Sequence, residues 1–202
     1  MSRAIARHFA GHRIQWSRAI LAGALFYVLF SEPPEALQGG AGEILKLAGY
    51  LMLVAGSLWR VWCLMFIGGA KDGVLTTEGP YSVVRNPLYV GSLLGVIGLG
   101  LAVRLPLLPV ALLVMFAALY PAVVANEEKR LEELFGEAYL HYRDATPRWI
   151  PRWSLYTEPE TVTVSPSKVR QGIGDAMWYL WAYAFVQILD LLHAHGILPV
   201  LF

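Results

Sequence analysis

Cysteine is nearly missing from this chain of 202 residues, where Cys63 stands alone. That single thiol excludes an intrachain disulfide and a thiolate metal cluster. Charge is scarce as well. Asp, Glu, Lys and Arg make up 15% of the residues, against about 25% in ordinary globular chains. The formal net charge is +1, so no basic surface for nucleic acid and no strongly acidic partner is implied. No Ser-His-Asp or phosphate-loop pattern is present. His8, His12, His141, His193 and His195 are not spaced as ligands, and no metal is expected.

Apolar residues are abundant. They form 56% of the chain, and the mean hydropathy is +0.50, which points to an integral membrane protein. Five apolar segments are predicted: about 14–30, 44–67, 88–103, 107–125 and 176–202. A basic stretch precedes the first segment, but Pro33-Pro34 follows it with no small-residue cleavage site. It is therefore expected to be a retained helix rather than a signal peptide. All Lys and Arg except Lys46, Arg104 and Arg60 fall on segments that one topology places inside. The positive-inside rule then predicts a cytoplasmic N-terminus, with the polar stretch 78–91 and everything polar after Ala125 on the same side.

Gly91, Gly95, Gly98 and Gly100 give the third segment a small-residue face suited to close helix contact. Pro121 is expected to kink the fourth helix. After it, Leu131, Leu134, Phe135, Ala138, Tyr139 and Tyr142 recur at helical steps and predict a separate amphipathic helix. Glu127 and Glu128 lie near its apolar face. They are either first-turn acids favoured by the helix dipole or carboxylates aimed at a cation. Arg85, Arg143, Arg148 and Arg152 are the local cations. Arg60, between Trp59 and Trp62, either snorkels or points inward to an anion. Residues 157–168 show no helical period and read as linker. Gln187, Asp190 and His193 form a polar stripe on the last helix, expected to face the bundle or a second copy of the chain.

The stretches "LWRVWCLMFIGG", "VLTTEGPYSVVRNPLYVG" and "NEEKRLEELFGEAYLHYRDATPRWIPR" carry a resemblance. They resemble the isoprenylcysteine carboxyl methyltransferase and phospholipid methyltransferase family of membrane enzymes, which use S-adenosylmethionine. The resemblance covers about 55–152. It implies that Tyr81, Arg85, Asn86, Tyr89, Glu127, Glu128 and Arg148 form the cofactor pocket. It also implies that Arg143, Glu128 and Tyr142 act near the reacting groups. The family's usual histidine is Asn86 here, a residue that hydrogen-bonds but does not titrate.

The expected architecture is all-α: about five transmembrane helices plus a cytoplasmic amphipathic helix. Residues 1–152 would form the core, 153–173 a polar linker and 174–202 a C-terminal apolar helix. The expected function is methyl transfer from S-adenosylmethionine to a lipidic or apolar acceptor: a prenylcysteine carboxylate, a phospholipid amine or a small thiol. A nicotinamide-dependent membrane reductase and a non-catalytic membrane scaffold are the alternatives. Membrane lipids and the acceptor are the expected partners, without nucleic acid.

Overall fold

The computed structural model describes residues 22–67 and 73–201. Residues 14–21 of the first predicted segment, Lys71 and Phe202 lie outside the described residues. Residues 22–30 are helical, and the chain leaves the helix before Pro33-Pro34. Five helices follow in order: α1 (Gly40–Ile67), α2 (Pro87–Val103), α3 (Leu107–Phe135), α4 (Glu137–Ala145) and α5 (Pro166–Ala194). A single helical turn, Pro80–Val83, separates α1 from α2. Among the described residues there is no strand.

Helix α1 is antiparallel to α2 at backbone contact. A Cβ added at Gly98 would stand 2.7 Å from both the Gly49 carbonyl oxygen and the Leu53 amide nitrogen. The same approach recurs one end further along, where a Cβ at Gly56 would lie 2.7 Å from the Gly91 carbonyl oxygen. The small-residue face of α2 is thus a packing surface. Between α2 and α3 there is room only for a tight turn, in which Arg104 adopts a left-handed φ of 61°. Such a conformation costs a non-glycine residue about 1–3 kcal/mol unless its surroundings hold it.

They do hold it. The buried Arg104 guanidinium donates to Asp190 of α5 at 2.7 Å and to Glu43 of α1 at 3.2 Å. Lys46 reaches the same Asp190 oxygen at 3.1 Å. His193 lies 3.0 Å from the carbonyl oxygen of Leu29. The polar stripe of the last helix therefore faces the bundle. At the other end of α5, Gly172 meets the Leu64 side chain, and Ser57 Oγ donates to the Ala176 carbonyl at 3.4 Å. Helix α5 thus runs antiparallel along most of α1 and turns Trp178, Trp181, Ile188 and Leu191 outward.

Two expectations change. Helix α3 does not stop at Ala125. It continues through Pro121 to Phe135, because nothing breaks it before Gly136, whose φ of 52° suits glycine alone. The amphipathic stretch is therefore split between the end of α3 and α4. Helix α5 begins at Pro166, where proline's missing N–H costs nothing at a first turn, and ends at Ala194. Among the described residues, two helices, α1 and α3, are long and apolar enough to cross a membrane, and the apolar α2 has 17 residues.

Removing Asp190 leaves Arg104 and Lys46 without their shared anion. Asp190→Ala is expected to destabilise the protein by about 3 kcal/mol. Thermal unfolding in detergent checks this, and an unchanged midpoint would show that the cluster does not hold α5.

Candidate active site

The site lies at the end of the bundle opposite the Arg104–Asp190 cluster, where α1 ends and α2 begins. Gly79 has a φ of 60°, and a Cβ there would strike the ring of Phe66. Glycine is required on both counts. Pro80 opens the helical turn, and Ser82 Oγ closes it by donating to the Gly79 carbonyl at 2.7 Å. Three backbone bonds tie this turn to the chain after α4. Gly79 N donates to Thr157 O (2.7 Å), Arg85 N to Pro147 O (2.8 Å) and Arg152 N to Val83 O (2.9 Å). From α4, Tyr142 Oη donates to the Tyr81 carbonyl at 2.8 Å. The turn is buried although its composition is that of a loop, because its backbone groups find partners in the chain.

The two adjacent acids on α3 have different surroundings. Glu128 is engaged on both oxygens. Arg148 grips it with Nε at 3.2 Å from Oε1 and Nη2 at 2.9 Å from Oε2, a bidentate pair. Asn86 Nδ2 donates to the same Oε1 at 2.9 Å and also to the Arg148 carbonyl at 3.3 Å. Arg85 Nε lies 3.7 Å from Oε1, while its Nη1 donates to the Arg143 carbonyl at 3.0 Å. Glu127, about 100° around the helix, has a different partner: its Oε2 accepts from Tyr89 Oη at 2.7 Å. Both acids lie well inside α3, two turns from its end, so the dipole offers them nothing. Cations and phenol, not helix position, hold them.

Glu127 borders a cavity of about 890 Å³, open mouth included. Arg85, Asn86, Tyr81, Tyr89, Tyr142 and Arg130 line it as well. Ile67, Leu75, Leu131, Leu134 and Phe135 make its apolar walls. Tyr81 Oη and Arg85 Nε are buried without a hydrogen-bond partner. A polar ligand in the cavity would relieve that cost.

Of the residues singled out from the sequence, Tyr81, Arg85, Asn86, Tyr89, Glu127 and Tyr142 line this cavity. Glu128 and Arg148 stand behind it as a clamp. The Arg143 side chain turns away, at 3.7 Å from Glu132 and 3.4 Å from Asp144, and contributes its carbonyl instead. Arg60 points to α2, donating to Ser92 Oγ at 2.6 Å and the Leu88 carbonyl at 3.3 Å. Sequence reasoning passed over Arg130, which stands one helical turn beyond Glu127. That three-residue spacing was the signal that could have found it.

Burial sets the protonation of the phenols. It pushes Tyr81 and Tyr142 well above the usual tyrosine range. For Tyr142, Tyr139 and Glu128 add to this against the opposing charge of Arg85. Burial, then Glu128, pushes Tyr139 up to about 12. All three are neutral near pH 7, so Tyr142 serves as a donor and not as a base.

A family model described as phospholipid methyltransferase matches residues 45–138. The cobalt-zinc-cadmium resistance protein CzcN of Cupriavidus metallidurans is 35% identical over 98% of this chain and 91% of its own length. The chain belongs to the phospholipid and isoprenylcysteine methyltransferase family. Within this family, protein-S-isoprenylcysteine O-methyltransferase B of Arabidopsis thaliana is 30% identical, over 51% of this chain and 57% of its own. The nickel-cobalt-cadmium resistance protein NccN of Alcaligenes xylosoxydans xylosoxydans is 34% identical, over 71% of this chain and 67% of its own. No solved structure matches the chain. Methyltransferases of the family use S-adenosylmethionine and act in membranes, and this chain has the apolar helices of an integral membrane protein.

The two acids of this family member should separate on substitution. Glu128→Gln is expected to lower stability by about 2 kcal/mol, since it removes the charge facing two guanidinium groups. Glu127→Gln should leave the unfolding midpoint nearly unchanged. Equal midpoints for the two variants would contradict the clamp.

Tyr139 gives a pH test. Its phenol is buried without a hydrogen-bond partner, and its folded-state pKa of about 12 lies above the unfolded value of about 10. The neutral form is thus favoured by folding. Its contribution is complete below pH 10 and is lost as pH rises through 12. Tyr139→Phe is expected to keep stability at pH 7 and to flatten the alkaline loss, measured by unfolding from pH 8 to 12.

Proposed function

We propose that this chain is a membrane-embedded methyltransferase that binds S-adenosylmethionine in the cavity beside Glu127 and passes the methyl group to an apolar or lipidic acceptor. One observation carries the reading: a carboxylate, two guanidinium groups and a partnerless buried phenol line one cavity together with apolar side chains. These residues fit the cofactor's chemistry. Glu127 would hold its ammonium, Arg130 or Arg85 its carboxylate, and Leu131, Leu134 and Phe135 its flat, less polar portion. When bound, the cofactor supplies an electrophilic methyl group on a sulfonium.

The protein's own contribution is position and exclusion of water. Tyr89 aims the Glu127 carboxylate, while the Glu128 clamp fixes Arg85 and Asn86, which line the same cavity. Orienting two reactants for in-line displacement is worth several kcal/mol without any group changing charge. Asn86 suits such a role, because one amide nitrogen serves two acceptors at any pH. The neutral phenols lining the cavity offer donors and an uncharged wall beside a cationic centre.

We place the site on the cytoplasmic side by the excess of Lys and Arg at that end of the helices. Helices α2 and α5 run alongside α1 and are read as further crossings, with residues 22–30 ending another. The metal-resistance names belong to two relatives. Among the described residues, no group of three His, Cys, Asp or Glu could hold a metal ion.

Purified protein incubated with methyl-labelled S-adenosylmethionine and a host lipid extract is expected to yield a labelled apolar product. Glu127→Gln should weaken cofactor binding about 10- to 100-fold, the loss of one charge-assisted contact. Tight binding of a nicotinamide cofactor without S-adenosylmethionine binding would overturn the reading in favour of a reductase.

A further inference from the structure

The sequence reads the chain from residue 153 onward as a polar linker, yet the stretch 147–156 turns apolar side chains outward. Ile150 is 80% exposed and Trp153 59%. The backbone of this stretch is fixed. The Pro147 carbonyl accepts from Arg85 N and Arg152 N donates to the Val83 carbonyl, so 147–152 runs antiparallel to the buried turn before α2. Beyond it, Gly79 N donates to the Thr157 carbonyl, and Val162 packs on the cluster of Cys63, Phe66 and Tyr81. Residues 157–163 thus close against the site. Between these ties, the helical turn Trp153–Leu155 is held to α1 by aromatic rings. Trp153 meets Trp59 edge-on at 5.8 Å, and Tyr156 meets Trp62 at 6.1 Å.

Two properties of α1 decide what covers this surface. The first is direction. Leu51, Leu58 and Met65, one heptad apart, form an exposed stripe, the side that faces lipid in a membrane-crossing helix. Trp62 stands about 40° from Leu58 around the helix. The Trp62–Tyr156 contact therefore continues that stripe onto the chain after α4. The second is depth. Lys46, paired with Asp190, marks the charged outer end of the bundle. A hydrocarbon layer of about 30 Å reaches roughly 20 residues along α1 from there, to Phe66. Trp59 and Trp62 then stand about 6–10 Å inside the other boundary, and the rings that meet them share that depth.

We propose that Ile150, Trp153 and Tyr156 are seated in the acyl chains of the leaflet at this end of the bundle, so that phospholipid is the partner of the segment that closes the site. Indole and phenol suit that boundary, and the exposed Arg152 between them has a stem long enough to keep its guanidinium among the headgroups. Arg148, which grips Glu128, lies two residues before Ile150. Lipid then holds one side of the segment whose other side completes the clamp. The proposal rests on the membrane reading of α1 and on no chemistry at the site.

Spin labelling of the full-length protein in phosphatidylcholine nanodiscs tests this. Cys63→Ala supplies a background without thiols, and single cysteines are placed by Ile150→Cys and Trp153→Cys. Leu58→Cys marks the lipid face and Glu133→Cys the aqueous one. Labels at 58, 150 and 153 are expected to favour collision with oxygen over a water-soluble nickel chelate at least fivefold more than the label at 133 does. In the thiol-containing parent chain, Ile150→Glu should raise hydrogen exchange across 147–157 at least fivefold. Thermal unfolding reports whether each variant is folded; if Trp153→Cys is not, the exposed position 150 carries the test. Nickel access at 150 equal to that at 133 overturns the proposal. So does low access to both reagents, the sign of a protein cover, or exchange unchanged by Ile150→Glu. A label at 58 that meets the nickel chelate freely overturns the membrane crossing of α1 and this proposal with it.

Discussion

A single carboxylate, Glu128, joins three parts of the chain that are far apart in sequence. It accepts from Asn86 before α2, lies beside Arg85 in the preceding turn, and is gripped by Arg148 after α4. An acid this enclosed needs such company, because desolvation without cations would drive it to take up a proton. Once it is satisfied, the loop before α2 and the chain after α4 are fixed against the end of α3. Glu127, one residue earlier, is left to face the cavity with a phenol as partner. The pair thus divides into a residue that builds the site and one that offers its charge to it.

The bundle beneath is bounded by a second ionic cluster at its far end. Arg104, Asp190, Lys46 and Glu43 bring together the turn between α2 and α3, helix α5 and the start of α1. Between the two polar ends, α1 and α2 touch through glycine rather than through side chains. Close backbone contact of this kind depends on shape and not on burial from water, which suits helices surrounded by lipid. A rigid pair anchored at both ends can hold a polar turn at a constant depth. That is what the proposed site for a charged cofactor and an apolar acceptor would require.

Much of this was legible in the chain itself. The apolar lengths marked α1, α2 and most of α3, and the small-residue spacing on α2 marked its packing face. The order of Gly-Pro-Tyr, Arg-Asn-Pro, Glu-Glu and Tyr-x-x-Tyr singled out residues of which several line one cavity. The ends of helices were less legible. Polar residues 126–130 read as a boundary, yet α3 continues through them, because helical hydrogen bonds are indifferent to polarity and only Gly136 reverses the backbone. Residues 166–173 read as linker for the same reason, although Pro166 is a suitable first residue for α5.

Local chemistry therefore determined which segments are apolar, where the chain must turn and which residue types a charged ligand would need. Those properties follow from side chains and backbone within a few residues of one another. Which of two adjacent glutamates faces the cavity, which arginine clamps and which turns away, and whether residues 157–163 trail off or close a wall were decided by tertiary structure. Each depends on a partner tens of residues distant, and no local pattern records that distance being closed.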